Sequence, residues 1–255
     1  MFHAQRAAVL FFKRILNFDK EAVAQREQRH AVRHLVEPGT PLRAALRLGN
    51  HDQAVRLLNL SSGGAAVQLV LLLDFKRGDP CRLRLELGGR ALRLDGNVAH
   101  QLAETSQTKL GVEFKFANFE EQKGYLQLLE PVAIGASLKP GNPKLVRQKE
   151  AGLLTKQYHG SSDTLLTVWR HFAGQAVHSF EFRMHDYFVR SSTQPKVLEI
   201  YTCEDQEHVQ KQGYGVPALK RATDQREEIR QLFHWIVPHI SHTVPDDIRE
   251  YLAQF

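Results

Sequence analysis

The sequence predicts a mainly β protein: a small antiparallel β-barrel followed by an α+β domain. Three observations carry this expectation. Between residues 42 and 116, apolar residues recur at every second position in short runs separated by turns, the period of strands with one buried face. From Ile229 onward they recur at i, i+3, i+4 and i+7, the period of an amphipathic helix. Gly135, Pro140, Gly141 and Pro143 crowd one short stretch without periodicity, which breaks the chain into parts. The expected organisation is an N-terminal helical segment over 1–25, a barrel over 26–135, a linker over 136–147 and the α+β domain over 148–255.

The elements follow in order. Val9, Phe12, Ile15 and Leu16 lie at helical spacing near the start, so an amphipathic helix packed on the protein is expected there. Its apolar run, Ala7 to Phe12, ends at Lys13 and Arg14, too early to span a bilayer, and no small-residue cleavage site follows. No stable membrane insertion is expected. Leu42, Ala44, Leu46 and Leu48 alternate with Arg43, Ala45 and Arg47, a strand. Val55, Leu57 and Leu60 precede a turn, and Ala65, Val67 and Leu69 follow it. Leu83, Leu85 and Leu87 alternate with arginines up to Gly88 and Gly89, after which Leu92 and Leu94 resume, reading as a hairpin. Val112, Phe114 and Phe116 form another strand. Asn118 with Glu121 caps a helix that is expected to end near Pro131.

Beyond the breakers, strands are expected over Leu165–Phe172, Val177–Met184 and Val197–Thr202. A helix capped by Thr223 carries Ile229, Leu232, Phe233, Ile236 and Val237, and a last short helix carries Ile248 and Leu252.

Composition narrows the function. The chain has 255 residues, a net charge of +6 and a pI of about 9.4. The charge is uneven: residues 1–50 hold nine Lys/Arg against four Asp/Glu, whereas 201–255 hold six against nine. Positive charge therefore gathers near the N-terminal third, where an anionic ligand would find it. No basic stripe interleaved with aromatics, zinc-finger spacing or RNA-binding signature accompanies it, so nucleic acid is not the expected partner. Cys81 and Cys203 form no CxxC pair, which suits a reducing cytoplasm.

Two strings carry the chemistry. Arg29, His30, Ala31, Val32 and Arg33 have the form RxxxR. Asn59, Leu60, Ser61, Ser62, Gly63 and Gly64 have the form [D/N]xSxxG. Read alone, the first is also a solvated helical stripe at i, i+4, and the second an ordinary hairpin turn in which Asn59 and Ser61 satisfy backbone groups. Gly63 and Gly64 permit a positive φ or a close backbone approach.

Together, and followed by the strand Leu110, Gly111, Val112, Glu113 and Phe114, these strings resemble PilZ domains over residues 26–135. The resemblance implies a receptor for cyclic diguanylate (c-di-GMP), in which Arg29 and Arg33 hold phosphate and stack on guanine, Asn59 and Ser61 bind ligand edges, and Gly63 and Gly64 shape the turn. The chemistry suits that ligand. A guanidinium grips phosphate through a fork of donors and also lies flat on a purine, which an ammonium cannot do. Many family members carry Asp where this chain has Asn59. A carboxylate accepts two guanine N–H bonds at once, so readout through Asn59 is expected to be weaker. Gln28, the residue ahead of RxxxR, adds no cation, and one nucleotide per chain is expected. The resemblance further implies relay of the signal to the chain's own C-terminal domain or to a protein partner. The alternative is a PilZ-like adaptor that binds no nucleotide and acts through protein contacts in motility or surface machinery.

Catalytic and metal patterns are weak, and neither enzyme activity nor a cofactor is expected. His171, His178 and His185 are spaced by seven, which suggests no common site, and no HExxH pattern occurs. Glu204, Asp205 and Glu207 disfavour a Cys203 thiolate. Gly213 to Ala218 mimics a dinucleotide-binding turn but follows a polar segment where a buried strand is required. Ser61 lacks the frame of a nucleophile elbow.

Overall fold

The computed structural model describes residues 32–48, 51–70, 75–104, 106–148, 150–161, 163–173, 175–193, 196–203, 219–222 and 225–255. The expected N-terminal helical segment, Arg29, the Thr223 cap and the Gly213–Ala218 turn lie outside these residues. The described chain falls into two compact units that divide between Ala133 and Ile134.

In the first unit, seven strands form one antiparallel sheet: β1 (His34–Leu35), β2 (Arg43–Leu48), β3 (His51–Ser61), β4 (Gly64–Leu69), β5 (Pro80–Leu87), β6 (Arg90–Ala103) and β7 (Thr108–Phe114). Their order is β1-β3-β2-β5-β6-β7-β4, and β3 also pairs with β4. The six strands β2 to β7 therefore close into a barrel, which removes open edges. β3 is long enough to serve both sides of the closure: residues 51–55 pair with β2 and 56–61 with β4. The predicted alternation is the barrel's core: Leu46, Leu60, Val67, Leu69, Leu83 and Leu85 are all fully buried. The β5–β6 hairpin turns at Gly88 and Gly89 with φ of 57° and 79°, the left-handed pair that matches strand twist in a two-residue turn. Cys81 packs in this core as a free thiol, and burial, with Asp95 second, pushes its pKa up to about 11.

Helix α1 (Phe119–Ser137) follows. The Asn118 carboxamide accepts from the Glu121 backbone N–H at 2.9 Å, and the Glu121 carboxylate accepts from the Ala117 N–H at 2.6 Å, a cap of the predicted kind. The expected end at Pro131 is corrected: the helix runs through Pro131 to Ser137. A proline removes one backbone bond and disfavours a helix interior. Here Leu128, Leu129 and Val132 flank it in buried positions, and burying each such side chain is worth about 1.5–3 kcal/mol, enough to carry the helix past the break.

The second unit holds a seven-stranded antiparallel meander: β8 (Lys139–Pro140), β9 (Leu153–His159), β10 (Leu165–His171), β11 (Val177–Met184), β12 (Tyr187–Thr193), β13 (Lys196–Cys203) and β14 (Leu219–Arg221), each pairing with its neighbour in sequence. The segment expected as a linker is largely ordered structure. Residues 139–140 pair with 159–158, a 3-10 turn spans Pro143–Leu145, and the Gln148 side chain bonds both the N–H and the carbonyl of Thr155, covering that edge of β9. Helices α2 (Arg226–Ile236) and α3 (Asp246–Leu252) complete the unit. Phe233 stacks on Phe180 at 5.7 Å and meets Phe182 edge-on, and Tyr251 and Phe255 close over Phe180. The buried Arg170 pairs with Asp247 of α3. Among the described residues no helix is long and apolar enough to cross a membrane.

Candidate functional site

Two bulges build the site. In β3 the pairing with β4 shifts between Leu57 and Asn59. Strict alternation would put Leu57 and Leu60 on opposite faces, yet both are buried. The extra residue lets both point inward and turns Asn59 and Ser61 outward, the re-aiming for which bulges are used. A second shift in β6, between Val98 and His100, likewise keeps Val98 inside and sends His100 out.

Register then sets what faces what. One row across the outer face runs Asn59, Ala66, Gly111, His100, and the next runs Ser61, Gly64, Glu113, Asn97. The middle of both rows is almost bare of side chains. Polar groups stand on either side of a floor of Gly64 and Ala66, beside which His100 covers Gly111. The His100 ring lies over Gly111, where an added Cβ would sit 2.1 Å from a ring carbon. An open cavity of about 920 Å³ occupies this face, lined also by Arg33, Ser62, Gly63, Phe116 and Gln122. Arg33, 26 positions upstream of Asn59, thus lines one space with Asn59, Ser61, Gly63 and Gly64.

The turn at Ser62 and Gly63 is held from three sides. The Ser61 hydroxyl donates to the Gly64 carbonyl at 3.2 Å, the Phe114 N–H donates to the Gly63 carbonyl at 2.9 Å, and the Tyr125 hydroxyl donates to the Ser61 carbonyl at 2.6 Å. Tyr125 is fully buried between Phe114 and Phe116, whose ring centroids lie 4.9 and 5.7 Å away, and desolvation drives its pKa far up. It is a permanent neutral donor. The two glycines differ in role. A Cβ on Gly64 would meet the Val112 carbonyl oxygen at 2.4 Å, so close approach demands glycine there; one on Gly63 would meet nothing within 4 Å, and Gly63 is not in the left-handed region. The expectation of backbone need holds for Gly64 and is corrected for Gly63, whose bareness only leaves space at the cavity.

Positive charge at the site comes from the lead-in. Arg33 is exposed, outside any helix, one residue before β1, so the stripe-of-a-helix reading does not apply to it. Burial lowers the pKa of neighbouring His34, which stays neutral at pH 7. Elsewhere on the barrel Arg47 grips Asp52 through two bonds of 2.6 and 2.7 Å, and Arg82 grips Asp95. The Arg47 hydrogen bond holds the Asp52 carboxyl below its usual range. Arg33, in contrast, forms no ion pair with a described residue. Tyr125, His100, Gly111 and Phe116 were not singled out as site residues by the sequence; Phe116 showed only as the end of an alternating strand.

Among the described residues no group of three His, Cys, Asp or Glu converges for a metal. The β10–β11 hairpin, with its shift at Trp169 and Arg170, brings His171 Nε2 and His178 Nδ1 to 3.2 Å, an exposed hydrogen-bonded pair that His185 does not join.

Residues 27–130 match the family model described as PilZ domain. No curated protein matches the chain. Among solved structures, the chain is similar to the Bacillus subtilis inhibitor of motility MotI/DgrA at 22% identity and TM-score 0.32, covering 40% of this chain and 49% of that one. It is similar to the PilZ domain of YcgR from Escherichia coli with c-di-GMP at 15% identity and TM-score 0.34, covering 40% and 88%. It is also similar to PlzA of Borreliella burgdorferi in complex with c-di-GMP at 11% identity and TM-score 0.30, covering 85% and 97%.

Proposed function

Residues 27–130 of this chain are a PilZ domain, and from that premise we propose that the protein is a c-di-GMP receptor and not an enzyme. The observation that carries the reading is the convergence of Arg33, Asn59, Ser61, Gly63 and Gly64 on one cavity with a glycine and alanine floor. A cyclic dinucleotide offers two phosphates and two flat bases. Arg33, joined by Arg29 from the lead-in, supplies the cations, with each charge-assisted bond worth about 1.5–3 kcal/mol. Ser61 and Asn59 supply edge contacts, and the bare floor admits a base face at van der Waals distance. The nucleotide is the only cofactor-like ligand proposed, no metal takes part, and the working compartment is the cytoplasm.

Binding is read out in the rest of the chain or by a protein partner. Because the cations lie in the segment leading into β1, ligand can favour one arrangement of that segment over others, a population shift driven by differential affinity. Calorimetric titration with c-di-GMP tests the receptor reading, with heat saturating at one nucleotide per chain expected. No binding at millimolar nucleotide would leave the adaptor reading, action through protein contacts alone. Amide exchange tests the relay: slower exchange over 20–35 on ligand addition, with a change within 145–255 if the second unit responds.

A further inference from the structure

We propose that Glu113 is the carboxylate that reads guanine in this cavity, an inference that rests on the cyclic-dinucleotide reading above and adds its base specificity. Glu113 is exposed on the outer face of β7, lines the cavity, and pairs in register with Gly64 on one side and Asn97 on the other. It forms no ion pair or side-chain hydrogen bond with a described residue. A free carboxylate in the cavity that Arg33 also lines repels a phosphate, so it works against a site that held phosphate alone. The same carboxylate is well suited to a ligand whose other half is a donor-rich base.

Guanine presents its N1–H and an N2–H side by side on one edge. An ionised carboxylate is an acceptor at both oxygens and takes both bonds, whereas an amide offers one acceptor and one donor. Asn59 occupies the position where the motif allows Asp, and so cannot make that paired contact. Glu113 restores it from the far side of the floor. In the row Ser61, Gly64, Glu113, the two polar residues stand one strand away from Gly64 on either side, about 10 Å apart at the usual strand spacing. A purine laid on Gly64 fills that gap, with its Watson–Crick edge toward Glu113. Adenine brings a lone pair at N1 to the same edge, where it faces carboxylate oxygens, and is rejected.

The experiment is calorimetric titration of the full chain and of Glu113→Gln with c-di-GMP and with cyclic di-AMP. The position is exposed and the change isosteric, so equal melting temperatures are expected. Wild type should prefer the guanine ligand at least a hundredfold. Glu113→Gln should bind it at least tenfold more weakly and lose most of the discrimination. Cyclic di-IMP, which lacks the N2 amine, should bind wild type about as weakly as c-di-GMP binds the variant, a comparison that needs no mutant. Unchanged affinity in Glu113→Gln, or tighter binding of both nucleotides from relief of repulsion, would overturn the role of Glu113 while leaving the receptor reading intact. Failure of wild type to bind c-di-GMP would instead overturn the receptor reading, and this inference with it.

Discussion

The Tyr125 hydroxyl in α1 donates a 2.6 Å hydrogen bond to the backbone carbonyl of Ser61, so the helix that follows the barrel fixes the strand end that carries the motif. Tyr125→Phe leaves that carbonyl without its donor inside a buried aromatic cluster. A stability loss of about 1–3 kcal/mol is expected, read by urea unfolding, together with weaker nucleotide binding because the Ser61 turn is released. A variant with wild-type stability would show that water replaces the hydroxyl.

Arg33→Ala removes an exposed cation that lines the cavity. Binding of c-di-GMP should fall below detection by calorimetry while the melting temperature changes by less than a degree or two. Arg29→Ala should behave alike. Wild-type affinity in either variant would remove that residue from the site.

Gly64→Ala and Gly63→Ala separate fold from ligand. The first forces a Cβ against the Val112 carbonyl oxygen, a backbone atom at 2.4 Å, and should destabilise the β4–β7 closure by several kcal/mol, since backbone cannot give way locally. The second meets open space, so its stability should change by less than about 0.5 kcal/mol while affinity drops because the methyl enters the cavity. Equal stability of the two would refute the asymmetry.

Ser61→Ala loses the bond to the Gly64 carbonyl and, on the proposed function, one donor to a ligand edge. Affinity and stability should each fall by about 1 kcal/mol. Loss of binding beyond measurement at full stability would give Ser61 a larger role than one hydrogen bond.

The second unit should be acid-sensitive through His239. Its ring is buried, neither nitrogen has a hydrogen-bond partner among the described residues, and desolvation lowers its pKa from 6.5 to about 4. The folded pKa lies below the unfolded one, so between those values the unfolded chain binds more protons and stability falls as pH falls. The full loss, at and below pH 4, is of order 3 kcal/mol. Urea unfolding of wild type and His239→Leu at pH 7 and pH 4.5 isolates the effect. A pH response unchanged by the substitution would assign it to other groups.

Alternation made the barrel strands legible, because a period-two pattern needs only local sequence and a single buried face. The Leu46, Leu83 and Leu85 positions behave as that pattern requires, and so do Phe180 and Phe182 in the second unit. Strands β9 and β12 escaped it: Gln157 and Lys156 in β9 and the Arg190 to Thr193 run in β12 offer no clean apolar face, and their pairing is set by neighbours on both sides. Pro131 misled as a stop signal since its local cost is outweighed by burial that only the folded chain supplies. The motif residues Arg33, Asn59 and Ser61 were readable as types at a spacing. That they face one cavity was decided by tertiary structure, through bulges that reset the parity of β3 and β6 and through the ring closure that lays β7 beside β4. Glu113 and His100 join the site for the same reason: register across strands places them opposite the motif, and register is a long-range property that no local pattern encodes.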